Sequence, residues 1–255
     1  MSKKQITEAL GIDIGGSFIK SAPVQISDGR LLDEQAKLET PENATPDKIR
    51  EQVKELIERF SWEKAIGVGY PGVVKNGTAL SAANVSKEWL GVNIRDTFQS
   101  VAKGRVYVIN DADAAGMAEM RFGAGKEHRG PDGGTVLMLT FGTGIGSAIF
   151  INGHLVPNTE LGHMYLEGSE TESIAAASVK TRLNLSWEDW TERVNQVLAE
   201  YEKLFSPDLI IFGGGVTESW DEFSHLLKTN AGLVRAKMEN EAGLVGAALA
   251  AAEFL

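Results

Sequence analysis

The sequence predicts an α/β protein, and three observations carry the prediction. Short apolar runs of the length of buried strands alternate with longer segments whose apolar residues recur at helical spacing. A layout of strand, glycine-rich turn and strand occurs in "LGIDIGGSFIKSAPV" and again in "TVLMLTFGTGIGSAIFINGHLV", with few identities between the two. That repeated layout implies two related halves facing one another. No low-complexity linker separates them, so any boundary falls inside tight connections.

Taken in order, "EALGIDIGGSFIKSAPVQI" has two apolar segments divided by Gly15-Gly16-Ser17, which predicts a β-hairpin whose turn approaches something closely. In "TPDKIREQVKELIERF", Ile49, Val53, Leu56, Ile57 and Phe60 recur at helical spacing, with Thr45 placed to cap, Pro46 in the first turn and Asp47 behind it. "AIGVGYPGVV" reads as a strand running into a Tyr-Pro-Gly turn, and "RVYVIN" as another buried strand. "SWEDWTERVNQVLAEYEKLF" is a long helix with Ser186 as its cap. Its Trp190, Val194, Val197, Leu198 and Tyr201 share one face, where core packing is their ordinary role. "PDLIIFGGGVTESW" is a buried strand ending in three glycines, and "NEAGLVGAALAAAEFL" a small-residue helix suited to close packing.

A chain of 255 residues that is 43% hydrophobic can bury one large core or two modest ones. Its net charge of -10 argues against a general nucleic-acid or anionic-membrane binder, while leaving room for a local basic groove. The absence of cysteine removes both disulfides and thiolate zinc sites and is compatible with a reducing cytosol. There is no apolar stretch of signal-peptide character at the start and no run of about 18 apolar residues, so a soluble, cytoplasmic protein without a membrane partner is expected.

The chemistry concentrates in a few places. Where "VYVIN" hands over to the helical "DADAAGMAEM", the chain sets Asn110, Asp111 and Asp113. One helix cap needs one such residue; three polar groups at a strand's carboxyl end also mark where open α/β sheets collect ligands. Gly15-Gly16-Ser17, Gly142-Thr143-Gly144-Ile145-Gly146 and Gly213-Gly214-Gly215 each follow a strand. Glycine lets backbone N–H groups converge on an oxyanion, and a neighbouring hydroxyl adds a donor, although hairpins and bulges use glycine too. Neither the Walker A pattern nor GxGxxG is present at these turns. Asp13 precedes the first of them; a carboxylate beside phosphate needs an intervening cation, which points to Mg²⁺ held through water, against hydrogen bonding within its own hairpin. In "PNTELGHMYLEG", Asn158, Glu160 and His163 suit vicinal sugar hydroxyls, which call for mixed donors and acceptors. The alternatives there are a solvated loop or a metal site, for which two ligands are too few.

With "GIDIGGSFIK", "GVGYPG", "NDADAAGMAE", "TFGTGIGSAIF", "ELGH" and "IIFGGGV" in this order, the chain resembles the ROK group of sugar kinases and sugar-responsive repressors, within the actin-like hexokinase superfamily. "VPNTELGH", "AAASV", "LSWEDW" and "PDLIIFGGGV" look closer still to its polyphosphate glucokinases. The resemblance implies an actin-like (hexokinase/ribonuclease H-like) two-lobed fold with a ligand cleft between lobes: 1–109 as the small lobe, 110–239 as the large one, and a helix at about 240–255 packing back on the first. It implies that Asp111 is the general base toward the sugar 6-hydroxyl, and that Asn84, Asn110, Glu160, His163 and Glu172 bind the sugar, Asp113 being left to the helix start. Gly15, Gly16, Ser17 and Gly142, Thr143, Gly144 and Gly146 would cradle phosphates, and Gly213, Gly214 and Gly215 would border a nucleoside or the distal phosphate chain. The cysteine-rich zinc motif of many relatives is missing, so no zinc is expected, and the chain leaves no room ahead of the first strand for a repressor's helix-turn-helix.

The leading expectation is therefore a glucokinase using polyphosphate, ATP or both with Mg²⁺, acting on glucose or a related hexose, and a homodimer by analogy with such relatives. The alternatives are an ATP-only kinase for glucose, another hexose or an amino sugar, and a non-catalytic sugar sensor, which would have no reason to keep Asp111 together with the phosphate turns. A polyanionic donor wants a basic track. "RFGAGKEHRG" offers Arg121, Lys126, His128 and Arg129 just after the Asp111 helix, against an ordinary solvated loop.

Overall fold

The computed structural model describes residues 5–255. Contacts divide the chain into two compact units, one taking in the chain up to Ala118 together with Glu241–Leu255, the other Glu119–Asn240. Among the described residues no helix is long and apolar enough to cross a membrane.

The strands of the first unit are β1 (Glu8–Ile14), β2 (Phe18–Gln25), β3 (Ala36–Glu39), β4 (Ile66–Tyr70), the small hairpin β5 (Val74–Lys75) and β6 (Thr78–Ala79), and β7 (Val106–Asn110). The main sheet runs in the order β3-β2-β1-β4-β7. It is antiparallel across β3, β2 and β1, and parallel from β1 through β4 to β7. Alternation along each strand gives the sheet two different faces. Leu10, Ile12, Ile66, Val68, Val106 and Val108 pack with Ile49, Val53, Leu56 and Ile57 of α1 (Pro46–Arg59) and with Ile94 and Phe98 of α2 (Ile94–Gln99). The other face presents Gly11, Gly67 and Gly69, and the C-terminal helix (Ala242–Phe254) lies on it. A methyl group on Gly11 would strike the Leu244 carbonyl, and one on Gly67 the Ala247 carbonyl. Bare strand backbone and a helix of alanines thus meet at a distance no larger side chain permits.

Thr45 stands at the N-cap of α1, but its side chain makes no capping hydrogen bond, unlike the sequence expectation. Its backbone carbonyl accepts Ile49 N–H at 3.0 Å. Pro46, with its fixed φ, and the first-turn charge of Asp47 supply the start instead.

Helix α3 (Asp111–Phe122) begins in the first unit and ends in the second. The second unit continues with β8 (Thr135–Phe141), β9 (Ile145–Ile151), β10 (His154–Val156), the small hairpin β11 (Tyr165–Leu166) and β12 (Ser169–Glu170), β13 (Leu209–Gly213) and β14 (Gly232–Arg235). Its main sheet has the order β10-β9-β8-β13-β14. The first three strands are again antiparallel and the last two join in parallel, which repeats the first sheet strand for strand. The repeated layout in the sequence is therefore a repeated topology.

Helices α4 (Thr171–Ala175), α5 (Ala177–Leu183), α6 (Trp187–Phe205) and α7 (Trp220–Phe223) complete this unit. Ser186 caps α6 as expected, accepting Asp189 N–H at 3.0 Å. Trp190, Val194, Val197, Leu198 and Tyr201 are buried with Leu137, Leu139, Phe141, Ile210 and Phe212. Phe141 and Phe212 stack with ring centroids 4.4 Å apart.

Candidate functional site

In the first unit β1, β4 and β7 are parallel, so their carboxyl ends share one edge of the sheet. Asp13 pairs with Gly69 in register, and Tyr70 with Asn110. Asn110 is buried and is the cap of α3: its Oδ1 accepts Asp113 N–H at 2.9 Å, while its Nδ2 donates to the Gly72 carbonyl at 3.1 Å. Capping therefore falls to the amide, and Asp113 takes part through its backbone. Asp111, the first residue of α3, is half-buried, with Oδ1 accepting Ala112 N–H at 2.8 Å.

Gly69 keeps the space between the two acids clear. A Cβ there would sit 3.5 Å from Asp13 Oδ1 and 3.7 Å from Asp111 Cα. The Asp13 carboxylate also lies where a Gly243 side chain would be, in the first turn of the C-terminal helix, an end that favours negative charge. Burial pushes the Asp13 pKa up, and Lys20, its register partner on β2, pulls it down.

The Gly15–Ser17 turn is fastened by Gly15 N–H to the Phe18 carbonyl at 3.0 Å and by the Thr40 hydroxyl to the Gly15 carbonyl at 2.6 Å. Asn84, exposed and at φ 59°, rests against Gly16: a Cβ on that glycine would be 3.0 Å from the Asn84 Cβ. Asp13, Gly15, Gly16, Asn84, Asn110 and Asp111 thus gather in the first unit.

The second unit repeats the arrangement with different chemistry. The Gly142–Gly146 turn leaves the carboxyl end of β8, and Gly213–Gly215 that of the parallel neighbour β13. Gly214 has φ 93° and would drive a side chain into the Phe141 backbone, so only glycine serves there. Ser178 donates its hydroxyl to the Thr143 carbonyl at 2.7 Å and its N–H to the Gly142 carbonyl at 3.0 Å.

Beside these turns stand Glu160, His163 and Glu172. His163 Nε2 is 4.0 Å from Glu160 Oε2, and Nδ1 is 3.8 Å from Glu172 Oε1. Glu172 Oε2 accepts Ile145 N–H at 3.4 Å and lies against Gly144. Burial raises the Glu160 pKa; His163 lowers it and Glu172 raises it further.

One neighbour was not foreseen: Glu170 Oε2 is 3.5 Å from His163 Nδ1. The Glu-Thr-Glu spacing around Thr171 was its only signal. Ligand atoms of His163, Glu170 and Glu172 all lie within 4.8 Å of one another, near enough to share a metal ion.

Of the basic segment, Arg121 ends α3, and Lys126 and His128 lie in a short 3₁₀ turn. Arg121, Lys126 and Arg129 are exposed, whereas His128 Nδ1 is 3.0 Å from the Gly133 carbonyl and fastens its own loop.

Two sheets of one topology, each with a glycine turn after its first long strand, define an actin-like α/β protein. The ROK family model matches residues 9–178. The chain is 46% identical over 241 residues to the polyphosphate glucokinase of Mycobacterium tuberculosis (strain CDC 1551 / Oshkosh), covering 94% of this chain and 89% of that one. It is 45% identical to the polyphosphate glucokinase of Mycobacterium leprae (strain TN), over 94% and 73%. Among solved structures, the inorganic polyphosphate/ATP-glucomannokinase of Arthrobacter sp. strain KM superposes with a TM-score of 0.90 at 41% identity, covering 96% of this chain and 98% of that one. A ROK family glucokinase from Streptomyces griseus in complex with glucose and AMPPNP gives 0.80 at 25% identity, covering 94% and 98%. The chain belongs to the ROK family.

Proposed function

We propose that the protein is a glucokinase that transfers a phosphoryl group from polyphosphate, and also from ATP, to the 6-hydroxyl of glucose. The observation that carries this reading is the placement of Asp111, a half-buried carboxylate at the head of α3 with Asn110 capping the helix beside it. The names of the 46%-identical relatives and of the glucomannokinase structure support both donors.

Asp111 accepts the proton of the sugar 6-hydroxyl as that oxygen attacks the terminal phosphorus. The bond from phosphorus to the bridging oxygen breaks, and the leaving group is ADP or a polyphosphate one unit shorter. Phosphoryl transfer is chiefly positioning and charge stabilisation, so a base that acts late suffices. In the second unit Glu160, His163 and Glu172 are assigned to sugar hydroxyls, and in the first unit Asn84 and Asn110. The turns at Gly15, Gly16, Ser17 and at Gly142, Thr143, Gly144 and Gly146 turn backbone donors toward donor phosphates, and Gly213, Gly214 and Gly215 border the rest of the donor.

Magnesium fits Asp13, a desolvated carboxylate beside a glycine turn, since Mg²⁺ is commonly held by one or two carboxylates, water and substrate phosphates. When bound it supplies charge neutralisation on the donor. The enzyme works as a cytoplasmic homodimer; the cysteine-free composition supports the compartment, and exposed Ile151, Val156 and Tyr165 offer apolar area for association.

The test supplies Mg²⁺ and glucose with either polyphosphate or ATP and measures glucose 6-phosphate. Product from polyphosphate, alone or with ATP, is expected. Product from ATP alone would leave an ordinary hexokinase, and product from neither would overturn the assignment.

A further inference from the structure

Two buried hydroxyls lie behind Glu160, His163, Glu170 and Glu172. Tyr201 on α6 and Thr171 at the start of α4 are both fully buried, and their oxygens are 2.8 Å apart. The Tyr201 hydroxyl reaches the Leu161 carbonyl at 2.8 Å. The Thr171 hydroxyl reaches the same carbonyl at 2.7 Å and that of Gly162 at 3.0 Å. Leu161 and Gly162 are the two residues between Glu160 and His163; Thr171 is the one residue between Glu170 and Glu172. One pair of hydroxyls therefore joins the two segments that carry all four side chains, and Thr171 N–H adds a bond to the Met164 carbonyl at 2.9 Å.

The front of the same loop is fixed independently. Ser147 of β9 donates its hydroxyl to the Thr159 carbonyl at 2.6 Å and accepts Leu161 N–H at 3.0 Å. The loop is thus anchored to the sheet through Ser147 and to α6 through Tyr201.

We infer that Thr171 and Tyr201 are positioning residues for the sugar, setting the separation of the Glu160–His163 segment from the Glu170–Glu172 segment. The inference rests on the reading of this site as the glucose site. Carbonyls buried in an apolar shell keep a hydroxyl partner wherever one is in reach, so the two segments hold one spacing. Sugar hydroxyls are read by groups held to within a fraction of an ångström, and a shift of about 1 Å costs on the order of a hundredfold in rate.

The test compares wild type with Thr171→Val and Tyr201→Phe, near-isosteric changes that each delete one hydroxyl, and with Thr171→Ser, which keeps it. Glucose KM, donor KM, kcat and thermal midpoint are measured on each. The expected result is a rise in glucose KM of about tenfold or more in both deletion variants, an unchanged donor KM, and glucose KM within about twofold of wild type for Thr171→Ser. The double variant is expected to fall short of the product of the single effects, because both hydroxyls serve the Leu161 carbonyl. A lowered thermal midpoint with unchanged glucose KM, or equal rises in both KM values, would overturn the inference and leave the pair a purely structural one. Should Thr171→Val fail to fold, Tyr201→Phe decides alone by the same criterion. A wild type with no glucose-dependent turnover would instead count against the site reading itself.

Discussion

Asn110 Oδ1 accepts the backbone N–H of Asp113 at 2.9 Å, so the residue beside the proposed base is the cap of the base's own helix. Removing the side chain frees the first turn of α3 and orphans the Gly72 carbonyl. Asn110→Ala is expected to cost about 1–3 kcal/mol of stability by urea denaturation and to weaken glucose binding as well. Asn110→Asp, which keeps the capping oxygen, should recover part of the stability.

Asp111 makes a narrower prediction. Asp111→Asn keeps size and polarity but accepts no proton, so turnover should fall on the order of a thousandfold while glucose binding, followed by calorimetry, stays nearly intact. A kcat close to wild type in that variant would end its assignment as the base.

The buried carboxylates set a pH dependence. Burial raises the folded-state pKa of Glu160 above 4.5 and that of Asp13 above 3.8. Between each ordinary value and the raised one, the folded chain holds more protons than the unfolded chain, so stability falls as pH rises through that interval. Melting curves from pH 4 upward should show this decline in the sugar-free protein, and Glu160→Gln should flatten it. An unchanged slope in that variant would place the effect elsewhere.

Exposed Arg121, Lys126 and Arg129 lie close together in sequence near the end of α3. If they form the polyphosphate track, raising salt will increase the KM for long-chain polyphosphate steeply and that for ATP little, because screening scales with the number of charges engaged. Equal, weak salt dependence for both donors would count against a track.

Gly67 tests the packing of the first unit. Its missing side chain is where the Ala247 carbonyl of the C-terminal helix passes, and backbone cannot rotate aside. Gly67→Ala should therefore destabilise by upwards of about 3 kcal/mol, measured by denaturation, whereas the same change at the unobstructed Gly142 should cost far less.

What was legible in the sequence was what local pattern decides. Strand runs, the apolar stripe of α6 and the Ser186 cap depend on neighbours within a turn or two, as does the meeting of Glu160 with His163. Thr45 satisfied the pattern of a cap without making its bond, because Pro46 and Asp47 already favour the helix start. Long-range partners left no such trace. Tyr201 reads as one more apolar-face aromatic, and nothing local says that its hydroxyl meets Leu161, 40 residues earlier. Glu119 is similar: a fully buried carboxylate late in α3, it accepts the N–H groups of Ala124 at 2.7 Å, Lys237 at 2.7 Å and Met238 at 2.6 Å. Its one sequence signal was a charge inside an otherwise apolar helical run.

The helix Ala242–Phe254 belongs to the first unit, yet in the chain it follows the whole of the second. On the ribosome, the sheet holding Asp13 and Asn110 emerges with Gly11 and Gly67 uncovered, and it waits for Leu244 and Ala247 until the whole of Glu119–Asn240 has been synthesised. At ordinary elongation rates that delay is on the order of ten seconds. The contiguous second unit can fold during the interval, so the order of maturation runs opposite to the order of the sequence, and Asp13 acquires its neighbour Gly243 only after the second unit has been made.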